Sequence, residues 1–145
     1  MRNGHVSRRS RSGKDTSQMP TLERIGPHEW KFPESAGEVS ERFYTGCELW
    51  EAGQTQEAFA VFQDLLPRHP EHLDVRDRLA HVYEEIGHDD RAKALLEEAV
   101  ALGRRAFPKG FRAGDRLEWG WLENRPFLRC LCSLGGVYER EGRLE

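Results

Sequence analysis

An all-α fold built as an array of paired antiparallel helices is what this sequence predicts, and three observations predict it. Residues recur at a period of 34, with Gly46 returning as Ala80, Gly53 as Gly87, Ala58 as Ala92 and Phe62 as Leu96. Ala58, Val61, Phe62, Leu65 and Leu66 are spaced i, i+3, i+4, i+7, i+8, the apolar stripe of an amphipathic helix, and Ala92, Leu95, Leu96, Ala99 and Val100 repeat that spacing. Gly53 and Gly87 stand just ahead of those stripes, where a chain that reverses between two helices needs a residue tolerant of the left-handed region.

The elements follow in order. Residues 1–34 read as a basic, disordered tail and an irregular lead-in. Between Met1 and Lys14 there are five basic residues (Arg2, Arg8, Arg9, Arg11, Lys14) and no acidic one, while the remainder holds 17 basic against 25 acidic residues. Such a tail has too little apolar surface to offset its ordering entropy. Pro20, Gly26, Pro27 and Pro33 punctuate the lead-in, whose Leu22, Ile25, Trp30 and Phe32 are expected to pack back onto the first helix. Ser35-Ala36-Gly37-Glu38 has capping-box form and opens the helical domain, 35–145.

Helices are predicted at about 36–52, 55–67, 73–86, 89–105 and 125–141, with no strand. Gly46 and Ala80 lie mid-helix, where a missing side chain lets a neighbour approach, and Phe62 and Leu96 fill the space between paired helices. Pro67 and Pro70 stop the first pair. Leu131, Leu134, Gly135, Tyr138 and Gly142 repeat the internal spacing of the first-helix pattern, but 21 residues later than a strict period places them. The displacement is an insertion, 107–127, whose Phe107, Phe111, Trp119, Trp121 and Phe127 make it too aromatic for a floppy linker. It is expected to be an ordered loop with a short helical turn, capping the second pair. Asn124 is a suitable N-cap for the fifth helix and Pro126 suits its first turn. The sequence ends at Gly142-Arg143-Leu144-Glu145, where a sixth helix would begin. Two expectations stay open there: a piece of a longer array, or a final helix that caps the stack or mediates self-association.

Over residues 39–106 this small-residue, Gly, Ala, bulky-apolar, Pro skeleton resembles the tetratricopeptide repeat family, with repeats at about 39–72 and 73–106 and a partial third at 128–145. Leu122 to Arg129 is also similar to a segment that joins repeats in uncharacterised bacterial members. The resemblance departs at Arg42 and Arg76, where a large aromatic is frequent, at Leu65, where a small residue is expected, and at Arg104, where a terminal proline is frequent. It implies two full helix-turn-helix repeats plus a displaced fifth helix in a right-handed superhelical stack, acting as a scaffold that binds a partner protein or peptide in a concave groove lined by the first helix of each repeat. Carried across position by position, the groove residues are Phe43, Tyr44, Cys47 and Trp50 from the first repeat, Asp77, Arg78, His81 and Glu84 from the second, and Arg129, Ser133 and Arg140 from the third. A different reading of the same aromatics is that Phe43 and Trp50 pack under the Trp30–Phe32 segment. In the family's chaperone-tail receptors a Lys and Asn set grips a C-terminal carboxylate, and of the matching positions here only Arg78 and Arg129 offer a cation.

Other chemistries lack their residue patterns. His69 and His72 straddle Pro70, and His88 lies beyond a helix-ending glycine from His81, so no zinc-ligand spacing is met and no metal or cofactor is expected. Cys130 and Cys132 point about 200° apart around a helix and read as small apolar residues. Cys47 and His81 occupy equivalent positions on successive helices, yet nothing supplies an oxyanion hole or an orienting group, so the chain is not read as an enzyme. The odd set of three Cys argues for a reducing, cytoplasmic compartment. No apolar run suits a membrane span, and the Arg8-Arg9 pair is not followed by the apolar stretch of an export signal. The alternative to a protein-binding scaffold is a nucleic-acid-associated adaptor that uses residues 1–14 as a phosphate-contacting arm.

Overall fold

In the computed structural model, residues 19–34 and 40–142 are described. The cap expected at Ser35, the start of the first helix and the basic arm 1–14 therefore lie outside the described residues. Five helices carry the fold: α1 (Ser40–Glu51), α2 (Thr55–Arg68), α3 (Leu73–Glu85), α4 (Asp89–Arg104) and α5 (Arg125–Arg140). The expected ends of α2 to α5 hold to within one residue. Pro67 does not stop α2, which runs on to Arg68. A proline in the last turn forfeits one amide bond, and the His69 N–H still reaches the Leu65 carbonyl at 2.9 Å.

Helices α1 and α2 pack as one pair and α3 and α4 as a second, with α2 against α3 between them. Each pair turns in the same way. Gly53 and Gly87 have φ of 81° and 89°, and the Gln54 and His88 amides reach back to the Leu49 and Tyr83 carbonyls at 2.9 and 2.8 Å. That is a helix C-terminus closed by a left-handed glycine. Gly142, after α5, has a positive φ of 74° as well.

The small-residue positions mark close approaches. A Cβ on Gly46 would lie 2.7 Å from Phe62 Cε1. Ala58, Ala80 and Ala92 are fully buried with Phe62 and Leu96 in the central core. Ala80→Leu is therefore expected to overpack the second repeat and to cost about 1–3 kcal/mol. A thermal melt unchanged by the substitution contradicts that placement. Arg76, at the position where an aromatic is frequent, is buried as a tie instead. Its Nε donates to the Pro70 carbonyl at 2.9 Å, and its Nη1 pairs with Glu98 Oε1 of α4 at 2.6 Å. Helix α3 opens at His72, whose Nδ1 accepts from the Val75 amide at 3.2 Å. Burial holds that imidazole below its ordinary pKa, which keeps the acceptor lone pair available.

The lead-in corrects three expectations. It is neither irregular nor without strands: Glu23–Gly26 (β1) and Glu29–Lys31 (β2) form an antiparallel hairpin with Arg24 opposite Trp30. Nor does it pack on the first helix. The Leu22 amide bonds the Ala106 carbonyl at 2.8 Å, and Trp30 and His28 exchange backbone bonds with Arg116 at 3.0 and 2.7 Å. Glu29 and Arg116 make a parallel bridge, so the insertion adds a third strand-like pass. Trp30 rests on Phe111 and Phe32 on Phe127, with ring centroids 5.8 and 5.5 Å apart. Phe107 stacks with both Phe111 and Phe127, completing an aromatic annex against the end of α4.

The buried side chain of Asn124 locks the annex. It accepts from the Phe32 amide at 2.8 Å and donates to the Glu118 and Trp30 carbonyls at 3.0 and 3.4 Å. Asn124 precedes α5 as expected, but its side chain makes no capping bond, being committed to the hairpin. A short 3-10 turn, Leu122–Asn124, leads into α5 with Pro126 in its first turn. Phe127 then fills the space left by Gly103 of α4, and α5 lies against both α3 and α4.

A candidate peptide-binding face on α1, α3 and α5

Helices α1, α3 and α5 follow one another along one face, and one pattern of contacts repeats between them. Cys47 of α1 meets Arg78 of α3. Asp77 and His81 of α3 meet Ser133 of α5, which donates to Asp77 Oδ1 at 2.6 Å and lies 3.3 Å from His81 Nε2. Cys47 and His81 are equivalent positions, as are Arg78 and Ser133. The insertion therefore displaces the third first-helix in sequence but not in its relation to α3.

At the centre of this face is Arg78. Its guanidinium carbon lies 5.8 Å from the Phe43 ring centroid, and Nη1 donates to Asp77 Oδ2 at 3.0 Å. Burial works against its charge, but Asp74, Cys47 and Asp77 together hold its pKa above the ordinary value, so it is a fixed cation. Asp74 also binds Arg129 of α5, whose Nη1 reaches both carboxylate oxygens at 3.0 Å. Further along, Arg140 pairs with Glu84 at 2.7 Å, and His81 Nδ1 lies 3.5 Å from Glu84 Oε1.

The expected groove residues divide by depth. Tyr44 stands out at 61% exposed, while Arg78, His81 and Arg129 present part of their side chains and Cys47 and Trp50 are half-buried. Phe43, at 6% exposed, and Asp77, at 2%, lie beneath this surface. Phe43 packs against Phe62 and His72 with centroids 5.9 and 5.5 Å away, so it forms a floor under Arg78. Asp77 anchors Arg78 and Ser133 from below. The Trp30–Phe32 segment packs on the annex, with Phe111 and Phe127, and not across Tyr44 and Trp50.

Two sets of residues belong to this face that the sequence did not nominate. Asp74 is the carboxylate that pairs with Arg129 and whose charge helps hold Arg78 protonated, and its spacing four residues before Arg78 was the available signal. Trp119, assigned from sequence to the insertion's cap, is half-exposed and holds Arg125 and Arg129 over its ring, with guanidinium carbons 4.9 and 5.5 Å from the centroid.

Cys47 faces Arg78, and His81 faces Ser133 and Glu84, so the two are not assembled as a nucleophile and base. Burial holds the Cys47 thiol above its ordinary pKa although Arg78 pulls the other way, and burial does the same to Cys130. Among the described residues no group of three His, Cys, Asp or Glu is placed to hold a metal ion. Among them, too, no helix is long and apolar enough to cross a membrane.

Compared with known families, residues 49–108 match the family model described as tetratricopeptide repeat. No curated protein and no solved structure matches the chain.

Proposed function

We propose that this chain, whose residues 49–108 match the tetratricopeptide repeat family model, a family whose repeats generally mediate protein–protein interaction, is a non-catalytic scaffold that holds a partner protein or peptide on the face lined by α1, α3 and α5. The observation that carries this reading is the stripe Tyr44, Arg78, His81 and Arg129. These side chains are accessible, they sit on three adjacent helices, and buried or half-buried carboxylates fix the geometry of the arginines. Aromatic and arginine side chains held in place anchor a ligand at little ordering cost. The three free cysteines support a reducing compartment such as the cytoplasm. The nucleic-acid reading rests on residues 1–14 alone, outside the described residues.

Tyr44→Ala and Arg78→Ala are each expected to weaken partner capture by more than about 1 kcal/mol, roughly fivefold, with the helical circular dichroism unchanged. Equal recovery of partner by wild type and both variants removes the face as the binding site.

Self-association through α5 has one observation in its favour. A Cβ on Gly135 would meet nothing within 4 Å, whereas one on the equivalent Gly46 meets Phe62 of its paired helix. The same side of α5 that Gly135 leaves open carries the half-buried Leu131.

A further inference from the structure

We infer that the insertion adds a subsite to this face: Trp119, flanked by Arg125 and Arg129, receives an acidic residue that neighbours an apolar one in the partner's peptide. The inference rests on the scaffold reading and specifies the chemistry of the partner. Trp119 is 49% exposed, an expensive placement for an indole that has an aromatic annex beside it to enter. It is also held still. The Trp119 carbonyl accepts from Arg125 Nε at 2.9 Å, and the preceding Glu118 carbonyl is bonded to the buried Asn124. A large, rigid, half-exposed aromatic is the kind of side chain that contributes contact area with little loss of freedom on binding.

The charges around the ring select the ligand. Arg125 and Arg129 are one turn apart on α5 and both lie over Trp119. Arg129 is shared with Asp74, but among the described residues Arg125 has no carboxylate partner. Its Nε is used by the Trp119 carbonyl, which leaves the Nη pair as a planar fork suited to a carboxylate. The apolar part of the ligand lies on the exposed indole and the acidic part on this fork. Arg129 ties the subsite to Asp74 of α3, so a peptide running along α1, α3 and α5 reaches it without leaving the face.

A nucleic acid fits less well. The helical pairs beside this spot, residues 40–105, carry fourteen acidic against eight basic residues. A chain of phosphates extending beyond about 8 Å meets that field, whereas a single carboxylate does not.

The test is a selection of displayed random peptides, roughly twelve residues long, on the full chain, followed by affinity measurement with the enriched peptides as synthetic, labelled probes. Enriched peptides are expected to carry Asp or Glu within two positions of Phe, Trp, Leu or Ile. Their affinity is expected to fall about tenfold in Trp119→Ala and in Arg125→Gln. Changing the peptide's acidic residue to its amide should cost no more in Arg125→Gln than the protein substitution already has, because the two remove one contact. Peptides without an acidic residue, affinities unchanged in both variants, or no enrichment at all overturn the inference. If affinity falls in Tyr44→Ala and Arg78→Ala but not in the Trp119 and Arg125 variants, the scaffold reading stands and this inference falls. If none of the four variants matters, both fall. Tight binding of a labelled oligouridylate of similar length, lost in Trp119→Ala, overturns it in favour of nucleic acid.

Discussion

Phe62→Ala is expected to destabilise the protein by about 3–5 kcal/mol. Phe62 is fully buried, and it is seated where a Cβ on Gly46 would intrude, its ring 5.9 Å from that of Phe43. Removing the ring takes away its transfer energy and leaves a cavity that the neighbours cannot close. Gly46 has no side chain to move inward, and Phe43 is pinned between His72 and the Arg78 guanidinium. The loss should also reach the binding face, because Phe43 is the floor on which Arg78 rests. Chemical denaturation followed by circular dichroism reads the effect. A change below about 1 kcal/mol contradicts the packing described for the first repeat.

Asn124→Ala is expected to cost about 2–3 kcal/mol, and to do so locally. The side chain is fully buried, and its removal strands the Phe32 amide and the Glu118 and Trp30 carbonyls without their partner. A buried donor or acceptor left unsatisfied carries its full desolvation penalty. The segment bound by these contacts is the β1–β2 hairpin with its return pass at Arg116. Amide exchange should therefore accelerate at Leu22, Trp30 and Phe32 while α2 and α3 keep their protection. Unchanged exchange at those three amides shows that the aromatic contacts alone hold the hairpin. Uniform acceleration through α3 shows that the annex and the repeats unfold as one unit.

The helices were legible because their determinants are local. The stripes of α2 and α4 and the glycines at 53, 87 and 142 act within a few residues of themselves, and the spacing from Gly135 to Gly142 reproduces that from Gly46 to Gly53 despite the insertion. The hairpin was not legible, because its strands are short and its decisive bonds are remote. Phe32 and Asn124 are 92 residues apart, and nothing near Asn124 distinguishes a helix cap from a clamp on a distant backbone. The candidate face was partly legible. The family resemblance carried Tyr44, Arg78, His81 and Arg129 across as groove positions, but a position in a repeat fixes direction and not depth, so it did not foretell that Phe43 and Asp77 would lie under their neighbours. Trp119 was read as a capping aromatic because the sequence does not reveal that Phe107, Phe111 and Phe127 already suffice for the cap.

The claim that the face lined by α1, α3 and α5 receives the partner is tested most directly by placing a photo-crosslinking side chain at Tyr44 on that face or at Ala60, an exposed position on α2. The account predicts adducts with the partner from position 44 that disappear when Arg78→Ala is added, and none from position 60. Adducts from position 60 alone, or adducts from position 44 that persist undiminished in Arg78→Ala, contradict it.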